Sequence, residues 1–325
     1  MNKTVSIVMC TYNGAKYIRE QLDSIVNQTY PIFELIIQDD CSTDETISIC
    51  REYAEKYSFI KLYINESQKG VNLNFHSAAL RAMGDYIAIS DQDDIWCLDK
   101  IEKQVQKIGD FYLLGSHSQP FTTDKKIELT SEDSRVPNFG LERMIYLTVF
   151  PGHTMIFQRK LLELVPELIY WENHICYDRV YQLTAAAYEQ VAFQSEKLVF
   201  HRRHDRAITY TKPLDYKRGV CNIIKSVFRT FKCYLQVRPH IRDFYTNIYN
   251  LLKNININTI SKSNALHIAF NQSQSGIIPF LKLTYWNIRM RNKIFYTPEQ
   301  NKIISILRGA YFAISCSDYF RYYVK

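Results

Sequence analysis

The chain has 325 residues, 46% of them hydrophobic, with only 10 Gly and 9 Pro, which excludes a disordered or collagen-like polymer and leaves room for one large α/β domain plus an appendage, or for two domains. The net charge of +7 is split unevenly: residues 201–325 carry 21 Lys and Arg against 5 Asp and Glu, whereas residues 1–200 carry 19 against 28. Such a split assigns two functional parts, the second facing something anionic.

Val5–Cys10 reads as a buried strand, and Ala15–Gln28 as an amphipathic helix with Ile18, Leu22, Ile25 and Val26 on one face. Phe33–Gln38 is a second strand ending in Asp39-Asp40, and Ser42 with Glu45 forms the capping box of a helix over Thr43–Tyr57. Ile60–Ile64 is a third strand, Asn72–Met83 a helix, and Asp85–Ser90 a fourth strand that runs into Asp91-Gln92-Asp93-Asp94. Strand–helix repetition at this spacing gives a parallel sheet with right-handed crossovers, and ligands bind outside the carboxyl ends of such strands. Three polar clusters meet that edge: Thr11-Tyr12-Asn13-Gly14, Asp39-Asp40-Cys41-Ser42 and Asp91-Gln92-Asp93-Asp94. Taken singly they read as a turn, a helix cap and a solvated acidic loop; their convergence favours a site. Close carboxylates repel unless a cation or donors hold them, and their hard oxygens suit Mg²⁺ or Mn²⁺ shared with substrate phosphates.

No G-x-G-x-x-G and no P-loop pattern occurs, so neither a dinucleotide fold nor a P-loop is supported. The cysteines at 10, 41, 50, 97, 176, 221, 233 and 316 include no C-x-x-C pair, which argues against zinc and redox motifs and fits a reducing compartment. No signal-peptide pattern opens the chain and no run of 18 apolar residues is present, so a cytoplasmic protein without a spanning helix is expected.

The segments Val5–Gly14, Ser24–Tyr30 and Glu34–Thr46, with Ser90-Asp91-Gln92-Asp93-Asp94-Ile95-Trp96, closely resemble family 2 inverting glycosyltransferases. The last of these resembles the DxD motif in its rhamnosyltransferase-type form, and the likeness covers residues 3–210. It implies a GT-A fold, an α/β architecture with a mostly parallel twisted sheet flanked by helices. A catalytic domain over 1–210 would then be followed by a basic, aromatic-rich helical appendage over 211–325.

Carried over residue by residue, the resemblance puts Thr11, Tyr12, Asp39 and Asp40 around the nucleotide base, Gly70 and Asn74 near the diphosphate, and Asp91 at the ribose or metal. Asp93 is then the main metal ligand, for Mg²⁺ or Mn²⁺. Pro151–Phe157 resembles the acceptor-side turn, and Asp178, within His174–Tyr181, falls on the general base, with Tyr177 where the family has a His or an acid. The bland alternative for Asp178 is a charge stabilising a helix N-terminus. Leu198–His204 resembles the closing Tyr-Arg-x-His element, so that His204 completes the metal shell or meets the diphosphate, with Arg202 on the motif's Arg and His201 on its Tyr.

The implied reaction is inverting transfer of a hexosyl or deoxyhexosyl group from a nucleotide-sugar to a glycan or lipid-linked acceptor in bacterial surface polysaccharide synthesis. Two alternatives stand beside it: a non-catalytic glycan- or nucleotide-binding protein, and a metal-dependent nucleotidyltransferase. From Tyr210 the strand–helix rhythm stops, and Tyr216–Tyr234, Ile241–Leu252, Ile277–Arg291 and Pro298–Tyr323 read as helices, with Pro239 and Pro279 limiting their neighbours. Their basic and aromatic faces fit peripheral contact with an anionic membrane, or a solvated face of a helical bundle; nucleic acid is not an expected partner.

Overall fold

A computed structural model describes residues 3–127, 129, 135–147, 150–166, 175–204 and 220–323. Eight strands form one sheet in the order β3-β2-β1-β4-β7-β6-β8-β5: β1 (Val5–Thr11), β2 (Glu34–Asp39), β3 (Ile60–Ile64), β4 (Tyr86–Ser90), β5 (Ile95–Trp96), β6 (Leu113–Phe121), β7 (Ile156–Gln158) and β8 (Val191–Arg202). β3, β2, β1 and β4 are parallel, as are β6 and β8; β7 runs against β4 and β6, and β5 against β8.

Successive β1 residues alternate between the sheet's two faces. Val5, Ile7 and Met9 pack with Ile18, Leu22 and Ile25 of α1 (Ile18–Val26), with Ile49 of α2 (Thr46–Lys56) and with Ile101 of α4 (Lys100–Ile108). On the other face Val8 and Cys10 join Phe75 of α3 (Gly70–Ala79), Met144 of α5 (Leu141–Met144) and Val180 of α7 (Tyr177–Ala187). A short α6 (Leu161–Leu164) follows β7.

The helical region is α8 (Val220–Asn254), α9 (Ile260–Ser273), α10 (Ile277–Arg289), α11 (Arg291–Ile294) and α12 (Lys302–Ser315), closed by a 3₁₀ segment, Cys316–Tyr323. It continues the second core: Val237, Ile241, Tyr245, Ile248 and Leu252 of α8 are buried in the same cluster as Val8 and Phe157. No helix among the described residues is long and apolar enough to cross a membrane. The expected boundary at 210/211 lies outside the described residues.

The helices correct some expectations and sharpen others. Pro239 does not divide two helices; it lies inside the 35-residue α8, where the buried stripe holds the helix together across one missing hydrogen bond. Pro279 occupies the first turn of α10, whose N–H groups need no helical partner. Helix α9 was not expected: its apolar face is small, built on Ala265, Ile268 and Ala269, and its start is set by Thr259, which accepts from the Lys262 N–H. Finally, Ser42 and Glu45 form no capping box: α2 starts at Thr46 with Glu45 in the cap position, and the Ser42 hydroxyl accepts from the Asn13 N–H and donates to Asp39.

Candidate active site

The carboxyl ends of β1, β2 and β4 lie side by side, with Thr11 paired to Asp39 and Met9 to Ser90. Asp39 is buried and closes the gap between strands: it accepts from the Thr11 hydroxyl (2.7 Å) and from the Ser42 hydroxyl and N–H. Asp40 accepts from Asn65 Nδ2 and from the Lys69 and Gly70 N–H groups (2.7–2.9 Å). It thereby seats the start of α3, where Gly70 takes φ +76°, a conformation that favours glycine. Asn74 is buried, its amide shared between Gln38 and Asn65. Thr11, Asp39, Asp40 and Asn74 thus build the floor of the cleft, and Tyr12 alone of the expected base-pocket residues presents a half-exposed side chain.

Strand register determines which groups meet the acidic loop. In the antiparallel β4–β7 pair Ala88 faces Ile156, and carrying that register onward sets Asp91 opposite His153. Asp91 Oδ2 lies 3.2 Å from His153 Nδ1, and Asp94 Oδ2 lies 3.5 Å from the same nitrogen. In the β5–β8 pair Ile95 faces Phe200, which sets the acidic loop against the end of β8. Asp94 Oδ1 accepts from the Arg202 N–H (3.0 Å), the Asp93 carbonyl accepts from Arg202 Nε (2.8 Å), and Asp93 Oδ2 lies 2.8 Å from His204 Nε2. The Arg202 guanidinium is sandwiched between Tyr17 and Phe121 and pairs with Glu20 at 2.9 Å.

The charges in this loop govern one another. Burial pushes the Asp94 carboxyl up to about 7. Burial opposes charge on His153, yet Asp94, Asp91 and Asp93 outweigh it and raise its imidazole; in return the hydrogen bond from His153 keeps Asp91 low despite its own burial. His201, its ring 4.5 Å from that of His153, is pushed down to about 3 by burial and by this neighbouring charge.

Asp178 opens α7, and the acceptor-side turn reaches it through Gly152. A Cβ on Gly152 would stand 2.7 Å from the Tyr177 hydroxyl and 3.3 Å from Asp178 Cβ, so a side chain there would displace the helix start. Tyr177 is buried, stacked on Phe75 with ring centroids 4.3 Å apart, and its N–H donates to Asn72. Asp178 Oδ1 accepts from the Arg179 N–H (2.7 Å). Burial raises its pKa, with Asp91 adding to the effect and Arg179 opposing it. His174, at the head of the same segment, lies outside the described residues.

The donor chemistry fits a small divalent ion. Ligand atoms of Asp91, Asp94 and His153 all lie within 4.8 Å of one another, and the buried Asp94 Oδ2 makes no hydrogen bond. Asp93 and His204, expected as metal ligands, stand outside this group and meet each other in a 2.8 Å hydrogen bond. Sequence reasoning assigned no role to His153, counted Asp94 in the acidic cluster without a part of its own and passed over Gln92. The Gln92 amide bonds both the N–H and the carbonyl of Tyr12 (2.9 and 3.0 Å), fastening the tip of β1 to the acidic loop. The only signal for His153 was its place after Gly152 in the acceptor-side turn; nothing local marked Gln92.

Residues 6–165 match the family described as Glycosyl transferase family 2. Over 102 residues the chain is 38% identical to TuaG of Bacillus subtilis, a glycosyltransferase named for teichuronic acid biosynthesis, covering 31% of this chain and 40% of that one. It is 40% identical over 101 residues to the Escherichia coli UDP-Glc:alpha-D-GlcNAc-diphosphoundecaprenol beta-1,3-glucosyltransferase WfgD, covering 31% and 39%. The aligned stretch therefore spans about two fifths of each of these curated relatives. Among solved structures, residues 1–349 of S. aureus TarS in complex with UDP-GlcNAc superpose with a TM-score of 0.59 over 98% of this chain and 89% of that one, at 17% identity. That likeness shows the fold, which is of the GT-A type expected from the sequence.

Proposed function

We propose that this chain, which carries a family 2 glycosyltransferase domain, transfers a hexosyl or deoxyhexosyl group from a nucleotide-diphosphate donor to an acceptor hydroxyl, with inversion at the anomeric carbon. The observation that carries this reading is the approach of two separate acidic groups, the Asp91–Asp94 loop and Asp178, to the one turn Gly152-His153. In this scheme Tyr12 takes the nucleotide base above the floor built by Thr11, Asp39 and Asp40. Gly70 and Asn74 support the diphosphate side.

Asp91, Asp93 and His204, with Asp94 and His153 beside them, would hold Mg²⁺ or Mn²⁺. A divalent ion there would act as a Lewis acid toward the departing diphosphate. Asp178 removes the proton from the acceptor hydroxyl, and the oxygen attacks the anomeric carbon opposite the leaving nucleoside diphosphate. Its burial suits this task, since a carboxylate with a raised pKa is a stronger base. The names of the relatives support a glycan or lipid-linked acceptor in surface polysaccharide synthesis; a place for the protein at the inner face of a membrane is part of this proposal.

The test is a panel of nucleotide-sugars supplied with Mn²⁺, read by nucleoside diphosphate release. Release of pyrophosphate from a nucleoside triphosphate supplied with a sugar 1-phosphate would instead mark a nucleotidyltransferase, and no turnover of either kind would favour a binding protein. Asp178→Asn should retain donor binding and lower transfer by about 10²–10⁴-fold; undiminished transfer would remove Asp178 from the mechanism.

A further inference from the structure

Helix α12 is built inside out. Its buried positions are Ser305, Gly309 and Ala313, whereas Ile303 is 71% exposed and Leu307 64%. The small residues let α12 lie close to α10: a Cβ on Gly309 would stand 3.0 Å from Ile288 Cα. α10 shares the pattern, burying Leu283 and Asn287 while Ile277 is 68% exposed and Leu281 58%. α8 joins them through Phe231–Tyr311 and Tyr234–Phe280 ring contacts (6.1 and 6.5 Å) and adds Leu235, also exposed. Single exposed aliphatic residues need no explanation, but adjoining helices that turn their large aliphatics outward form an interaction surface.

The charge around these residues selects the partner. Residues 220–323 contain 14 Lys and Arg and 3 Asp and Glu. The exposed Lys232, Lys282 and Lys302 lie on the same three helices, Lys282 next to Leu281 and Lys302 next to Ile303 in the chain, and Glu299 is already paired with Arg308 at 3.1 Å. A symmetric contact between two copies would set this basic rim against itself. An anionic lipid surface answers both features, taking the aliphatic side chains into the headgroup boundary and the lysines onto its phosphates.

We propose that the outer face of α8, α10 and α12 is a docking surface for an anionic phospholipid membrane. This deepens the reading of a membrane-side acceptor, and its test is independent of catalysis. The full chain is sedimented with phosphatidylcholine vesicles and with vesicles of equal parts phosphatidylcholine and phosphatidylglycerol. It should partition to the anionic vesicles, less so as salt rises. Lys282→Gln with Lys302→Gln should weaken partition about 25-fold, on roughly fivefold per basic side chain.

Leu281→Ser with Leu307→Ser should weaken it at least tenfold, while thermal midpoint and nucleoside diphosphate release without vesicles stay as in the parent. Equal partition to both vesicle types, no partition, or indifference to both pairs of substitutions would overturn the proposal. So would self-association, seen by analytical ultracentrifugation, that the Leu pair abolishes, since a second copy would then own the surface. If vesicle binding fails while donor turnover persists, the docking surface falls alone; if turnover fails while binding persists, the enzymatic reading falls alone.

Discussion

Asp178 and the acidic loop show how one residue type acquires different properties from its surroundings. Asp91 is held low by the hydrogen bond from His153, whereas Asp94, buried with one oxygen unbonded, rises to about 7. Asp178 is raised chiefly by burial. A base with a raised pKa stays protonated to higher pH and takes a proton only above that pKa. kcat/KM should therefore climb with pH through an acid limb above the ordinary Asp value of about 3.9, and the residual activity of Asp178→Asn should lose that limb. A limb at the ordinary value, or one that survives the substitution, would contradict the assignment. Such environments are invisible in sequence, because the groups that shift Asp178 come from positions 91, 153 and 179.

Among the elements, α8 separates local preference from tertiary demand most clearly. Proline in a helix interior removes one hydrogen bond and crowds the carbonyl four residues back, at a cost of about 3 kcal/mol. Here that carbonyl belongs to Leu235, on an exposed turn, while Val237, Ile241 and Tyr245 anchor the helix on either side. Pro239→Ala should accordingly raise stability by about 1–2 kcal/mol, a part of the proline penalty. Thermal and denaturant midpoints provide the check; a fall in both would mean that the core requires the proline's geometry. The first four parallel strands were legible because they are short apolar runs alternating with helical periodicity, whereas the longer parallel pair β6 and β8 and the antiparallel β7 were not read as strands from periodicity. The alliance of β5 with β8 was not legible either, since a two-residue strand carries no period.

At the scale of the whole molecule the helical region and the sheet share a core. The Tyr146 hydroxyl donates to Asn287, and its ring meets Phe312 at 4.8 Å. Arg143 Nη1 donates to the Ile294 carbonyl, and Glu142 accepts from both Asn264 and Lys293. A core continuous across two regions unfolds as a unit. Calorimetry should show one transition, coincident with the loss of helical circular dichroism and of tryptophan fluorescence. A separate early transition would mean that the helices are independent of the sheet.

The sequence by itself determined the α/β rhythm, the convergence of three polar strand ends on one edge, and the family resemblance with its GT-A fold, because these rest on local periodicity and contiguous motifs. It also recorded the excess of positive charge in the second half. Tertiary structure alone decided which carboxylates share a partner. Register in the β4–β7 and β5–β8 pairs brings His153 to Asp91 and Asp94, and His204 to Asp93. It decided too that α12 turns its large side chains outward, since helical period defines a stripe but not the side on which the rest of the chain will pack.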